Sequence, residues 1–99
     1  MVVVLGALRF PPHVIDEVRP HLRTLVEATR RHDGCHAYDV AEDLFDPGLI
    51  RFAESWPDAD RLDKHLRAAH IAPWRAVCAR LGLISRAFTA YDADNARPV

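Results

Sequence analysis

The sequence predicts an α+β sandwich, in which helices cover one face of an antiparallel sheet. Three observations lead to this class: an apolar first segment, two alternating segments joined by a tight turn, and apolar residues at helical spacing between the strands. No repeat, linker or low-complexity segment divides the 99 residues. We therefore expect a single domain over residues 1–99, with a core at about 2–91 and a polar tail at 92–99.

The first strand, Val2 to Phe10, is apolar on both of its alternating faces. A strand of an antiparallel sheet with one face in water would carry polar residues at every second position. Both faces of this strand are therefore expected to be covered. Pro11-Pro12 ends the strand.

A helix follows, with apolar positions at helical spacing and polar residues on the rest of its circumference. These positions are Ile15, Val18, Leu22, Leu25, Val26 and Thr29. Proline is tolerated mainly in the first turn of a helix, so Pro20 predicts that the regular helix begins only shortly before it. Asp33-Gly34 ends the helix, because glycine adopts the left-handed conformation of a C-terminal cap.

A β-hairpin is the element with the strongest signal. Cys35 to Leu44 and Leu49 to Trp56 both alternate, and Asp46-Pro47-Gly48 forms the turn between them.

Two helices and a strand complete the pattern. The segment from Asp58 to Ala69 predicts a short helix with Asp58 as its N-cap. Pro73 starts another helix, which Gly82 ends, and Leu83 to Tyr91 forms the last strand. The apolar face of the second helix consists of Trp74, Val77, Cys78 and Leu81.

The order strand, helix, strand, strand, helix pair, strand is the split βαβ arrangement of a ferredoxin-like sandwich. Helices cover only one face of such a sheet, yet the first strand is apolar on both. The simplest cover for the second face is the same sheet of another copy, which predicts an isologous homodimer.

Composition excludes several classes of partner. The chain is 49% hydrophobic and 27% charged, and its net charge of −1 comes from 13 basic and 14 acidic residues without clustering. This pattern argues against nucleic acid and against a membrane surface as partners, and it favours a small organic ligand.

The apolar N-terminus is too short to span a membrane and has no basic leader, so we expect a cytoplasmic protein. The two cysteines lack the spacing of a zinc site and are expected to be buried thiols.

The most specific motifs lie between residues 34 and 74. They are Gly34-Cys35-x-x-Tyr38-Asp39-Val40, Asp46-Pro47, Glu54-x-Trp56, Leu62-x-x-His65 and His70-x-x-Pro73-Trp74. With these motifs the chain, from Val2 to about Tyr91, resembles the antibiotic biosynthesis monooxygenase (ABM) domain family. The resemblance implies a dimeric α+β barrel with one pocket per subunit between the sheet and the helices.

The resemblance also implies a class of activity. Characterised members oxidise quinols or anthrone-type aromatics with molecular oxygen and without a metal or flavin, others degrade haem, and many have no known substrate. Trp56 resembles the pocket tryptophan of the anthrone-oxidising type, and Arg75 is a match for its arginine. Phe52 stands where that type has an asparagine. The asparagine that haem-degrading members carry on the first strand is also missing, which argues against haem degradation.

Chemistry without a cofactor needs a base and a group that stabilises an anion. His65 is our candidate base, because imidazole exchanges protons near neutral pH, and Arg75 is the candidate anion stabiliser. Trp56 is the third residue of the predicted catalytic set. Residues expected to bind the substrate are Tyr38, Phe52, Glu54, His70 and Trp74. His65 and His70 are about 140° apart around a helix, so they do not form the one-face pair that binds a metal.

Each candidate has a structural alternative. Trp56 and Tyr38 are equally compatible with roles in the core. Glu54 fits capping a helix or pairing with an arginine better than a place in the pocket, and Arg75 also fits a solvated helix surface. At the level of the whole chain, three hypotheses stay open. They are a cofactor-free monooxygenase that takes a small aromatic and oxygen, a non-catalytic binder or sensor that uses the same pocket, and a structural dimerisation module.

Overall fold

Three helices pack on one face of a four-stranded antiparallel sheet. The computed structural model describes residues 1–99. The strands are β1 (Val2–Arg9), β2 (Ala37–Glu42), β3 (Leu49–Trp56) and β4 (Ser85–Asp92). The helices are α1 (Ile15–His32), α2 (Ala59–Leu66) and α3 (Ile71–Arg80), and a short 3₁₀ turn, Pro12–Val14, precedes α1.

The sheet has the strand order β2-β3-β1-β4, and every neighbouring pair is antiparallel. The hairpin of β2 and β3 is present as predicted, and β3 has the predicted bounds. The ferredoxin-like α+β sandwich expected from the sequence is confirmed.

The two faces of β1 have different environments. Val2, Val4 and Leu8 point to the helices and are buried in the core. Leu5 points to the opposite face, where it is 52% exposed. We call this second face of the sheet the open face, because no helix of the chain covers it. It contains Leu5, Ala7, Ala53, Ala87, Thr89 and Tyr91.

The start of α1 differs from the prediction. The helix begins at Ile15 and includes Pro20 in its interior. A proline removes the hydrogen bond to the carbonyl four residues earlier, here that of Asp16. Pro20 and Asp16 are both exposed, so water can solvate that carbonyl. The buried face of Ile15, Val18 and Leu22 holds the first turns on the core despite the proline.

The ends of several other elements differ from the prediction. β1 ends one residue earlier, at Arg9, and β4 begins at Ser85 rather than Leu83. β2 ends at Glu42, because the carboxylate of Asp43 accepts a hydrogen bond from the backbone N–H of Phe45 and turns the chain away from the sheet. α2 ends at Leu66 rather than Ala69, and α3 begins at Ile71, two residues before Pro73.

Several local signals were correct. The side chain of Asp58 caps α2 by accepting from the N–H of Arg61 at 2.8 Å. Gly82 has φ +76° just after α3, as expected of a C-terminal glycine. Cys35 and Cys78 are free thiols; Cys78 is buried as predicted, whereas Cys35 is only half-buried. None of the helices combines the length and apolar character needed to cross a bilayer.

Candidate active site

A cavity of about 580 Å³ lies between the sheet and α2 and α3. Of the 18 residues around it, 14 are hydrophobic, so a ligand inside it would be held mainly by apolar contacts. Six of the eight predicted site residues line this cavity: His65, Arg75, Tyr38, Phe52, Glu54 and Trp74. Trp56 and His70 do not line it.

His65 reaches the cavity from the last turn of α2 and is 4% exposed. Its Nδ1 lies 2.6 Å from Oδ2 of Asp33. Burial lowers the pKa of the imidazole, and the neighbouring Asp33 carboxylate opposes part of that shift. A neutral His65 that donates its Nδ1–H to Asp33 keeps its lone pair on Nε2. The site therefore contains a neutral imidazole held in one tautomer.

Asp33 also contacts a second histidine. Oδ2 of Asp33 lies 2.8 Å from Nε2 of His70, and Oγ1 of Thr29 is 3.4 Å from the same nitrogen. The Asp33 side chain is only 7% exposed. His70 thus acts behind the cavity, where it fixes the position of Asp33. We call Asp33, His65 and His70 the carboxylate–imidazole cluster.

The sequence did not predict this cluster. His65 and His70 lie at the ends of two different helices, so helical spacing does not describe their relation. Asp33 lies just beyond the end of α1, where we assigned it only to the helix stop with Gly34. A carboxylate before a stop glycine is common, and nothing local marks it as a partner for residues 32 and 37 positions away.

Two imidazoles and a carboxylate are also groups that zinc prefers, and the three ligand atoms lie within 4.8 Å of one another. In a tetrahedral zinc site the ligand atoms are about 3.3 Å apart. Here Oδ2 of Asp33 is 2.6 and 2.8 Å from the two nitrogens. These are hydrogen-bond distances, so we describe the cluster as a hydrogen-bonded one.

An aromatic wall lies next to His65. The ring of Tyr38 meets those of His65, Phe52 and Trp56 edge to face, with centroids 5.3, 6.0 and 6.4 Å apart. Burial and the charges of nearby carboxylates raise the pKa of Tyr38, so its hydroxyl stays protonated and can donate a hydrogen bond. Such a wall suits a flat aromatic ligand.

Trp56 and Glu54 form a buried pair on one face of β3. Nε1 of Trp56 donates to Oε1 of Glu54 at 3.0 Å, and the indole is fully buried. Its ring packs against the imidazole of His65, with centroids 4.8 Å apart. Burial raises the pKa of Glu54, while the indole hydrogen bond and the charge of Arg86 act in the opposite direction. Trp56 supports His65 from behind, and Glu54 faces the cavity.

Two arginines bring positive charge to the cavity. Arg75 comes from α3, where its guanidinium donates to the carbonyl of Leu66 at 3.4 Å. Arg86 comes from β4, and its Cζ lies 4.6 Å above the ring of Phe88. Arg86 is not among the residues predicted from the sequence, although its alternation with Phe88 and Ala90 on the last strand places these three residues on one face.

Together these groups can bind a flat aromatic, accept a proton at His65, and stabilise negative charge with Tyr38 and Arg75. A neutral base in an apolar cavity with nearby cations is an arrangement suited to forming a substrate anion.

Comparison with known proteins places this chain in a family. Residues 1–77 match the model of the antibiotic biosynthesis monooxygenase family. A search among curated proteins found no match.

Solved structures agree with the family match. A crystal structure of a candidate antibiotic biosynthesis monooxygenase from Deinococcus radiodurans is 29% identical, with a TM-score of 0.93 over 100% of this chain and 98% of that one. Another antibiotic biosynthesis monooxygenase is 34% identical, with a TM-score of 0.87 over 96% of this chain and 100% of that one. Rv0793 from Mycobacterium tuberculosis is 26% identical, with a TM-score of 0.84 over 98% of each chain. The chain belongs to the antibiotic biosynthesis monooxygenase family.

Proposed function

We propose that this protein is a cofactor-independent monooxygenase that oxidises a small electron-rich aromatic, a quinol or an anthrone-like compound, with molecular oxygen. The observation that carries the proposal is the His65–Asp33 hydrogen bond at 2.6 Å, at the wall of a mostly apolar cavity. Family membership and relatives described as monooxygenases support the same class of reaction.

The first step is removal of a proton from the bound aromatic. Nε2 of His65 accepts the proton, and the imidazolium that forms is stabilised by its hydrogen bond to Asp33. Burial disfavours this charged form, so the carboxylate of Asp33 is needed to offset the cost of charging the ring inside the protein.

The second step is electron transfer from the substrate anion to oxygen. Arg75 supplies the positive charge and Tyr38 the hydroxyl donor that stabilise the anion before it reacts. Over the whole reaction the aromatic gives up four electrons and two hydrogens. One oxygen atom enters the product as a carbonyl or hydroxyl group, and the other leaves as water, so no external reductant is consumed.

We infer further that the working unit is a homodimer joined through the open face. Leu5 exposes 52% of its surface there, and its neighbours Ala7, Ala53 and Ala87 are small enough to let another sheet approach closely. A face of this kind on an antiparallel sheet is usually buried. Two copies related by a twofold axis would cover it on both.

One observation favours a second candidate function, a non-catalytic binder of small molecules. The cavity has no amide side chain, and Phe52 lies in its wall, edge to face with Tyr38 and with Phe88. A binder needs only the apolar walls and would not require the carboxylate–imidazole cluster.

Oxygen uptake by metal-stripped protein, with a panel of hydroquinones, naphthoquinols and anthrones, separates the two functions. A monooxygenase consumes oxygen above the uncatalysed rate, and ¹⁸O₂ labels one oxygen atom of the product. His65→Ala should lower the rate by about 100-fold to 10⁴-fold and leave the dimer intact. His32→Ala, which changes an exposed histidine at the end of α1, is the matched control.

Undiminished turnover in His65→Ala would dismiss His65 as the base. Saturable quenching of tryptophan fluorescence by the same compounds, with no uptake above background, would establish the binder instead.

A further inference from the structure

The two arginines of the cavity have no carboxylate partner in the protein. Seven ion pairs lie within 4.0 Å, and neither Arg75 nor Arg86 takes part in any of them. Of the ten other arginines, four have such partners and six do not, but Arg75 and Arg86 are the two that line the cavity.

Arg86 is held in place without being neutralised. Its guanidinium lies over the ring of Phe88 at 4.6 Å, and this stacking leaves the N–H groups at its edge free to donate. The strand alternation of β4 directs Arg86, Phe88 and Ala90 to the cavity, while Ala87 and Thr89 face the open side of the sheet. Arg86 therefore serves the ligand cavity and not the proposed dimer face.

The remaining charge around the cavity is small. Glu54 is the only acidic residue in its lining, and it forms no ion pair within 4.0 Å with either arginine, although the charge of Arg86 lowers its pKa against the effect of burial. The Glu54 carboxyl also already accepts the indole hydrogen bond of Trp56. An apolar cavity with two guanidiniums that form no ion pair favours an anionic ligand group over a neutral one.

One cation is sufficient for an anion that forms during the reaction, and we have assigned that role to Arg75. Arg86 comes from a different element and is left without a role in the proton transfer. A planar guanidinium matches a carboxylate with two parallel hydrogen bonds.

We propose that the ligand of this cavity is an acidic aromatic, in which a carboxylate separate from the reacting hydroxyl or methylene pairs with Arg86. The aromatic, oxidisable part of this assignment rests on the proposed function, whereas the acidic part rests on Arg86 and its surroundings.

Binding of two probes that differ by one carboxylate tests the assignment. We would titrate 1-naphthol and 1-hydroxy-2-naphthoate into the protein without oxygen and follow tryptophan fluorescence, since Trp74 lines the cavity. The acid should bind about tenfold more tightly than the phenol, as expected for a charge-assisted hydrogen bond in a partly exposed site.

Arg86→Gln should remove most of that preference and change the affinity for 1-naphthol by no more than about twofold. Arg67→Gln, an exposed arginine outside the cavity lining, should behave like the wild type. Equal affinity for the two probes, loss of both affinities in Arg86→Gln, or binding of neither probe would overturn the assignment.

These outcomes are independent of turnover. A preference for the acid in a protein that consumes no oxygen would uphold the acidic ligand and reject the monooxygenase. Catalysed oxygen uptake without a preference for the acid would uphold the monooxygenase and reject the acidic ligand.

Discussion

The two faces of the sheet differ in the side chains that line them. The covered face has large side chains, a cavity of about 580 Å³ and a partly buried cluster of one carboxylate and two imidazoles. The open face is lined largely by small apolar residues around Leu5, and its charged side chains are Asp39 and Arg51 of β2 and β3.

The difference shows how a chain of 99 residues supports both a core and a site. The helices bury the face that carries the candidate site, whereas the open face is left with apolar surface that a single chain does not cover. A small domain buries a limited fraction of its surface, so contact with a second copy would add to its stability. We assign chemistry to the covered face and assembly to the open face.

Leu5→Arg should have the largest effect on assembly. A charge at this position would be desolvated against the partner's sheet, so the dimer dissociation constant should rise by about 100-fold or more. Sedimentation velocity across a concentration series measures the change. Leu44→Arg, on a loop where Leu44 is 87% exposed, is the control and should remain dimeric. An unchanged mass for Leu5→Arg would refute the assignment of the open face.

Asp33→Asn tests the covered face without removing the base. The amide can still accept the Nδ1–H of His65, but it no longer supplies a negative charge to stabilise the imidazolium. Loss of one charge-assisted hydrogen bond corresponds to a decrease in turnover of about tenfold to 100-fold. Oxygen uptake at saturating substrate measures it, with Asp63→Asn, an exposed carboxylate of α2 outside the cavity lining, as the control. Equal losses in both variants would contradict a specific role for Asp33.

Gly6→Ala should destabilise the wall of the cavity. A methyl group at Gly6 would lie 2.2 Å from Cδ2 of Phe88, so the ring must move away. Overpacking of this kind costs about 1–3 kcal/mol of unfolding free energy. Urea denaturation measures the loss, and Phe88→Leu added to Gly6→Ala should restore part of it. A double variant less stable than Gly6→Ala alone would show that the ring is not the obstacle.

The pH dependence of turnover gives the smallest effect. His65 must be neutral to act as a base, and burial lowers its pKa from the ordinary 6.5. Activity should therefore persist as the pH falls through 6.5 and decrease only at lower values. In Asp33→Asn the decrease should move to still lower pH, because Asp33 raises the pKa of His65. An acidic limb centred above 6.5 in the wild type would be inconsistent with a buried imidazole.

Local signals in the sequence were sufficient for most of the fold. Alternation over Leu49–Trp56, the cap of Asp58 and the stop at Gly82 each depend on neighbouring residues, and all three are present. Pro20 misled the prediction of α1 because tertiary packing of the buried face outweighs a local penalty on the exposed face.

The candidate site was only partly predictable. Tyr38 and Glu54 face each other across the hairpin register, which alternation and the turn position determine. The pairing of Asp33 with His65 and His70 depends on how three helix ends meet, and no spacing rule encodes that. Trp56 does not line the cavity, and His65 packs over the indole ring of Trp56. That packing depends on the tertiary structure.

In the proposed reaction His65, held by Asp33, removes a proton from the bound aromatic. The most direct measurement is the ultraviolet–visible spectrum of anthrone mixed with the protein in the absence of oxygen at pH 7, compared with His65→Ala. We expect the absorbance of the anthrone anion to appear with the wild type and to be lost in the variant. A bound anthrone that stays neutral, or an equal amount of anion in both proteins, would contradict it.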